Sequence, residues 1–215
     1  MNQKKKEIDT YDRILDCAET LFAQQGYDGT STRQMASEVG ISIQTLHYHC
    51  ENKLNLFNTV IKRCIVPITK IINRHVEELL KLDQNDSDAI QNRLSLVIDD
   101  IFDEFNNNPN YPLLLFRQWI EQDLNLRKVE WDQLVPAIRL WADKVHGRVG
   151  ESEGEHVDTQ LLFLSLSWIY WGLFVNPLFI SDLLGISADS PEYIAKLKRH
   201  AKEMTARMMR YNGTI

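Results

Sequence analysis

Ser42, Gln44, Thr45, His47, Tyr48 and His49 crowd hydrogen-bonding and ring-bearing side chains into one short stretch directly after Gly40. None stands in a pattern that makes or breaks covalent bonds. His47 and His49 lie two apart, so on a helix they splay and do not readily share a metal. No Ser-His-Asp, Cys-His, phosphate-loop or paired-carboxylate arrangement stands out elsewhere in the chain. No catalytic residue, metal or other cofactor is therefore expected, and the chain does not read as an enzyme. Cys17, Cys50 and Cys64 lack metal-like spacing and suit a reducing, cytoplasmic setting. The chemistry left to the cluster is recognition: donating and accepting hydrogen bonds against another polar surface.

The elements that would hold this cluster are legible around it. An apolar stripe of Ile14, Leu15, Ala18, Leu21 and Phe22 predicts a first helix over 10–25, stopped by Gly26. Ser31 caps a second helix, with Gln34 three residues on as the capping-box partner. Met35, Ala36 and Val39 form its buried side, and Gly40 makes the turn. Ser42 caps a third helix through about residue 49, and Asn52 caps a fourth that buries Leu54, Phe57, Val60 and Ile61. Helix, tight glycine turn and short helix make a helix-turn-helix unit. Met35, Ala36, Val39, Ile41 and Leu46 face inward. Ile43, Gln44, Thr45, His47 and either Tyr48 or His49 face outward. A short polar helix presented by a rigid apolar pair suits insertion in a DNA major groove.

In this segment the chain closely resembles the TetR family of transcriptional regulators. Gly26-Tyr27, Thr30 to Ala36, Gly40, Ser42, Thr45-Leu46, His49 and Lys53 stand at the spacings of that family's signature. The match covers about a quarter of the chain. Three positions depart from the pattern: His47 replaces a usual tyrosine, Cys50 a usual phenylalanine, and Ile43 a residue that is often basic. The first swap keeps a polar ring, the second loosens a core contact, and the third removes a possible contact to phosphate or base. Together they imply an altered operator preference. The resemblance implies Arg33 and Gln44 as base readers, since arginine pairs with guanine edges and glutamine with adenine. It implies a thymine-methyl contact for Ile43. Thr32, Ser42, Thr45, His47, Tyr48, His49 and Lys53 would position the phosphates. Lys4 to Lys6 would lie along the backbone or in the minor groove as a flexible arm.

Bulk electrostatics do not favour such a role. The whole chain carries a formal charge of −6, and residues 1–60 hold six Lys and Arg against eight Asp and Glu. The case rests on where residues stand. The 215 residues, 44% hydrophobic and 25% charged, are ordinary for a soluble globular protein and fit one large domain or two small ones. The expected fold class is all-α: an N-terminal three-helix helix-turn-helix head over 1–60, then a helical bundle over 61–215 that senses ligand and dimerises. Residues 1–9 are basic and polar with no apolar stretch behind them, so no signal peptide is expected.

Beyond residue 65 the helices lengthen. Ile90, Leu94, Val97, Ile98, Ile101, Phe102 and Phe105 stripe one helix that ends at Asn106-Asn107-Asn108-Pro109. Helices are expected over 111–123 and 131–145, a surface loop over 147–155, and a final helix from Ser190-Pro191. Residues 161–180 carry no formal charge, long enough to raise a membrane span, but Ser165, Ser167, Asn176 and Pro177 favour a buried helix at a subunit interface. Leu161, Leu164 and Trp168, with Ile194, Leu197, Ala201 and Met204 of the final helix, are the expected seam of a homodimer. Trp119, Trp131, Trp141, Trp168 and Trp171, with Phe102, Phe105, Tyr111 and Phe116, read equally as plain core or as the lining of a cavity. The resemblance implies a cavity in this body, with Phe102, Phe105, Phe116, Trp119 and Trp141 lining it for an apolar or aromatic small-molecule effector. Asp99, Asp100, Asp103 and Glu104 read as a solvated face. The resemblance thus implies a sequence-specific regulator of transcription, a ligand-released repressor on a near-palindromic duplex operator, with no membrane partner. The alternative is a DNA-binding protein of the same fold that dimerises but senses nothing.

Overall fold

A computed structural model describes residues 2–83, 86–120, 126, 128–145 and 158–210. Among these every regular element is a helix. In chain order they are α1 (Asn2–Gln25), α2 (Thr32–Val39), α3 (Ile43–Cys50), α4 (Lys53–Leu79), α5 (Ser87–Asn107), α6 (Asn110–Ile120), a π-helical turn (Glu130–Leu134), α7 (Val135–Val145), α8 (Thr159–Val175), α9 (Pro177–Leu184) and α10 (Pro191–Arg210). The loop expected over 147–155 lies outside the described residues.

The helices group into two compact units that differ from the contiguous 1–60 and 61–215 division. One comprises residues 1–66 together with 110–132; the other comprises 67–109 and 133–215. The change of unit falls inside α4 and at both ends of the α6 segment, so α6 belongs with the head. The reason is visible on α6 itself. Leu114 and Leu115 are buried, and α6 packs on α1. Arg117 donates from Nε to the carbonyl of Ala23 and from Nη2 to that of Gln24, both at 2.9 Å. Those carbonyls belong to the last turn of α1, which has no intrahelical donors for them, and a guanidinium there also complements the helix dipole.

The first unit's core is built from the predicted stripes. Ile14, Ala18 and Phe22 of α1, Met35 of α2, Leu46 of α3, and Phe57, Val60 and Ile61 of α4 are all buried. Leu54, expected inward, is only half-buried, and Leu56 takes the inward position instead. Phe22 and Tyr27 both meet Phe57 edge-on, with ring centres 5.0 and 5.2 Å apart. Gly29 is required by space: a β-carbon there would stand 2.4 Å from the Gln25 carbonyl oxygen. α1 begins at Asn2 rather than near residue 10, so residues 4–6 lie on helix and not on an irregular arm.

In the second unit α5 packs on α10, and α8 packs on α7, α9 and α10. The acidic residues of α5 are paired rather than merely solvated, which corrects the reading above. Asp99 accepts from Lys202 at 2.5 Å and Asp103 from Lys198 at 2.5 Å, both reaching across to α10. Asp100 meets Arg74 and the buried His75 of α4 at 2.5 and 2.6 Å. Glu104 bonds to Asn108, and burial raises its carboxyl pKa. α9 is an element that the sequence reading missed; Asn176 caps it and Pro177 opens it. No single helix among the described residues is long and apolar enough to cross a membrane, and Phe163–Val175 and Pro177–Leu184 meet at 85°.

Candidate functional site

The helix-turn-helix forms through local bonds that its sequence specifies. Ser31 Oγ accepts from the Gln34 amide at 3.1 Å, as an N-cap should. The reciprocal half of the capping box does not form, because the Gln34 side chain donates to Glu38 instead. Gly40 takes φ +75°, the left-handed conformation that closes α2 and that side-chain-bearing residues resist. Arg13 of α1 donates to the Val39 carbonyl at 2.5 Å, bracing the turn from outside. Ser42 Oγ accepts from the Thr45 amide at 3.1 Å and caps α3, and Asn52 Oδ1 accepts from the Asn55 amide at 2.9 Å and caps α4. Leu46 and Cys50 anchor α3 inward.

What α3 shows outward is narrower than the sequence suggested. Gln44, His47 and Tyr48 are exposed, with Tyr48 77% accessible, and Arg33 of α2 is exposed as well. Ile43, Thr45 and His49 are half-buried, as is Thr32. The Thr45 hydroxyl is engaged with Ser42 Oγ at 2.8 Å. His47 Nδ1 lies 3.0 Å from the Glu51 carbonyl, and His49 packs beside Tyr11 with ring centres 6.1 Å apart. Lys53 holds its ammonium 4.1 Å over the Tyr27 ring, a cation–π contact that fixes its position next to the α3–α4 corner. Beside that corner, a mostly polar cleft of about 210 Å³ is bounded by Tyr11, His49, Cys50, Glu51, Asn55, Leu56 and Thr59. It lies beside the position where cysteine replaces the larger ring implied by the resemblance.

The second unit contains an apolar cavity of about 90 Å³ among α4, α5, α7, α8 and α10, walled by Ile68, Ile72, Leu94, Ile98, Trp141, Phe163, Tyr170 and Trp171, among others. Of the five aromatic residues expected to line a pocket, Trp141 lines this cavity and the other four do not. Phe102 and Phe105 are fully buried in an edge-to-face cluster with Phe174, at 5.0 and 5.3 Å, and act as core. Phe116 and Trp119 lie on α6 in the other unit. The lining residues that were missed come from α4, the α5 stripe, α8 and α10, together with Leu134. For those on α5 the signal was present, because the α5 stripe is too broad for one face: Leu94 and Ile98 open on the cavity while Phe102 and Phe105 close the core.

The expected dimer seam also divides. Leu161, Leu164 and Trp168 are exposed on one side of α8, Leu161 by 60%. Leu197 and Ala201, by contrast, are buried within their own subunit, and Ile194 and Met204 are half-buried. The α10 stripe is internal packing, because α10 covers α5 with that face. α9 adds Leu178, Phe179 and Leu183 to the exposed apolar side chains.

The head is a helix-turn-helix domain braced by α4 and α6, a fold class built to present one short helix. Residues 14–60 match the model of bacterial regulatory proteins, tetR family. The chain is 38% identical over 61 residues to the biofilm operon icaADBC HTH-type negative transcriptional regulator IcaR of Staphylococcus aureus, covering 28% of this chain and 33% of that protein. It is 31% identical over 72 residues to the IcaR of Staphylococcus epidermidis, covering 34% and 39%. The matched part spans about a third of the length of these curated relatives. Over nearly the whole chain the fold is similar to that of the transcriptional regulator FadR from Bacillus subtilis in complex with stearoyl-CoA. That likeness has a TM-score of 0.58 at 17% identity, covering 91% of this chain and 97% of that one. It is similar also to a Mesorhizobium loti protein described as a TetR-family transcriptional regulator, with a TM-score of 0.58 at 18% identity, covering 97% and 98%. The likeness to the tetR family of bacterial regulatory proteins is therefore carried by residues 14–60 of the head, and over the rest of the chain it is a likeness of fold.

Proposed function

We propose that the protein is a homodimeric, sequence-specific DNA-binding regulator of transcription that acts as a repressor and is released by a small molecule. The observation that carries the DNA-binding part is the exposed face of α3. Gln44, His47 and Tyr48 stand free of the core on a helix that Leu46, Cys50, Gly40 and the Ser42 cap hold rigidly, with Arg33 exposed on α2 beside the turn. Rigid presentation of hydrogen-bonding side chains is what base reading in the major groove needs. Arg33 and Gln44 take the base-reading role, with Ile43 against a thymine methyl. Thr32, Ser42, Thr45, His47, Tyr48, His49 and Lys53 meet or frame the phosphates. Repression is supported by the matched relatives, whose name is that of a negative regulator.

Dimerisation is supported by α8. Leu161, Leu164 and Trp168 leave large apolar area in water, each worth about 1.5–3 kcal/mol when fully buried. Gly172 lies on the same exposed face with open space above it, so a second helix can approach closely. A two-fold pair of heads reads a near-palindrome. Release by ligand is supported by the cavity, since persistent apolar voids between bundle helices are common small-molecule sites. The Bacillus subtilis neighbour holds stearoyl-CoA, but about 90 Å³ is far too little for a long acyl chain. The effector here is a smaller molecule. The Phe102–Phe105–Phe174 cluster, in which Phe102 and Phe105 are fully buried, favours the rival, a dimer that binds DNA and senses nothing.

Hydroxyl-radical protection of a duplex enriched by the full-length protein tests the reading. Two protected patches on one face of the duplex, related by a dyad, are expected. Uniform reactivity, or a single patch, would contradict it.

A further inference from the structure

A second chamber of about 100 Å³, part polar and part apolar, adjoins the apolar cavity; Gln91, Asn92 and Ser95 of α5 and Lys202 of α10 form its polar side. Leu94, Ile98 and Thr205 belong to the walls of both chambers. At this shared wall Thr205 Oγ1 and the Tyr170 hydroxyl lie 2.8 and 3.0 Å from the Ala201 carbonyl and within hydrogen-bond reach of each other, so their two protons are shared among three contacts. The polar side of the second chamber is electrically balanced. Lys202 Nζ lies 2.5 Å from Asp99 Oδ2, and Lys198 stands 3.9 Å from the other oxygen of the same carboxylate. A full charge brought into such a site would lose its hydration and meet no unpaired opposite charge, whereas a neutral amide or hydroxyl could exchange hydrogen bonds with the side-chain hydroxyl and amides there.

Deepening the ligand-responsive reading and resting on it, we infer that the effector is a small uncharged amphiphile. It places a short apolar tail among Ile72, Leu94, Trp141 and Trp171 and a neutral amide or hydroxyl head beside Gln91, Asn92 and Ser95. The tail is short because about 90 Å³ is less than the ~150 Å³ of an apolar cavity that takes benzene.

Binding to the full-length protein without DNA is the test, so the result does not depend on whether ligand releases DNA. Pentanamide, 1-pentanol, pentanoate and pentylamine are titrated separately, following the fluorescence of Trp141 and Trp171. The amide and the alcohol should saturate at concentrations at least tenfold lower than the acid anion and the amine. Ser95→Leu, which fills the second chamber from a half-buried position, should weaken pentanamide at least tenfold. Thr205→Val should weaken it several-fold, and thermal unfolding of each variant shows whether the fold is kept. Binding of all four probes within threefold of one another would overturn the proposal. So would the absence of saturable binding by any probe, or unchanged pentanamide binding in a folded Ser95→Leu variant. Selective binding of the amide without loss of DNA affinity would leave the ligand class standing and count against ligand-released repression.

Discussion

Among the described residues the Gln44 and Arg33 side chains have no hydrogen-bond or ion-pair partner, and they are exposed on the two helices flanking the turn. Truncating either to alanine should therefore leave the fold intact, cost about 1–3 kcal/mol on the preferred duplex and relax one position of the recognised sequence. Thermal unfolding and a competition assay separate these effects. Lys53 is different, because its ammonium rests on Tyr27. Lys53→Ala should lower head stability by about 0.5–1 kcal/mol and weaken all duplexes alike, flattening the salt dependence. The cysteines give a pH signature. Burial pushes the Cys17 and Cys50 thiols up from 9.0 to about 11, with Glu38 adding to the rise at Cys17. Each thiol holds its proton more tightly folded than unfolded. Its contribution to stability is complete below pH 9.0 and is lost as the pH climbs through about 11. Tm should fall across that interval more steeply for the parent than for a Cys17→Ala, Cys50→Ala double variant; parallel curves would remove the attribution.

At the scale of elements, α6 and α8 carry the consequences that sequence periodicity could not supply. Arg117 of α6 satisfies two end carbonyls of α1, so Arg117→Ala should destabilise the head by about 1–3 kcal/mol. Arg117→Lys should recover only part of it, because one ammonium cannot reproduce the two-pronged donor. Denaturant titration of the three proteins decides this. On α8, Leu164→Glu should split the proposed dimer while leaving the monomer folded, whereas Leu197→Glu should unfold the second unit because Leu197 is buried within it. Sedimentation together with circular dichroism distinguishes the two outcomes. The head was legible almost residue by residue, because caps, glycine turn and apolar stripes are all local signals: Ser31, Gly40, Ser42 and Asn52 do in space what their types announce. The second unit was legible only as helices. Whether Leu197 faces its own subunit or another, and whether Phe102 or Leu94 lines a void, depends on which helix packs opposite, and periodicity is blind to that. α9 could have been found from Asn176-Pro177, but it was hidden inside a longer uncharged run.

In the whole molecule a helix-turn-helix head, whose fold is set by local sequence signals, is continuous in chain with a helical body that leaves an apolar face uncovered and a small cavity inside. Its head carries no excess of positive charge, so affinity should depend less on generic phosphate attraction than in strongly basic DNA-binding domains. Specific contacts then matter more, and they are testable directly. The decisive measurement is selection of bound sequences from random duplex DNA by the full-length protein and, in parallel, by its Gln44→Ala and Arg33→Ala variants. An inverted repeat of two short half-sites is expected for the parent, with one position of each half-site relaxed in each variant. No enriched sequence for the parent, or an identical enriched sequence for all three proteins, would contradict it.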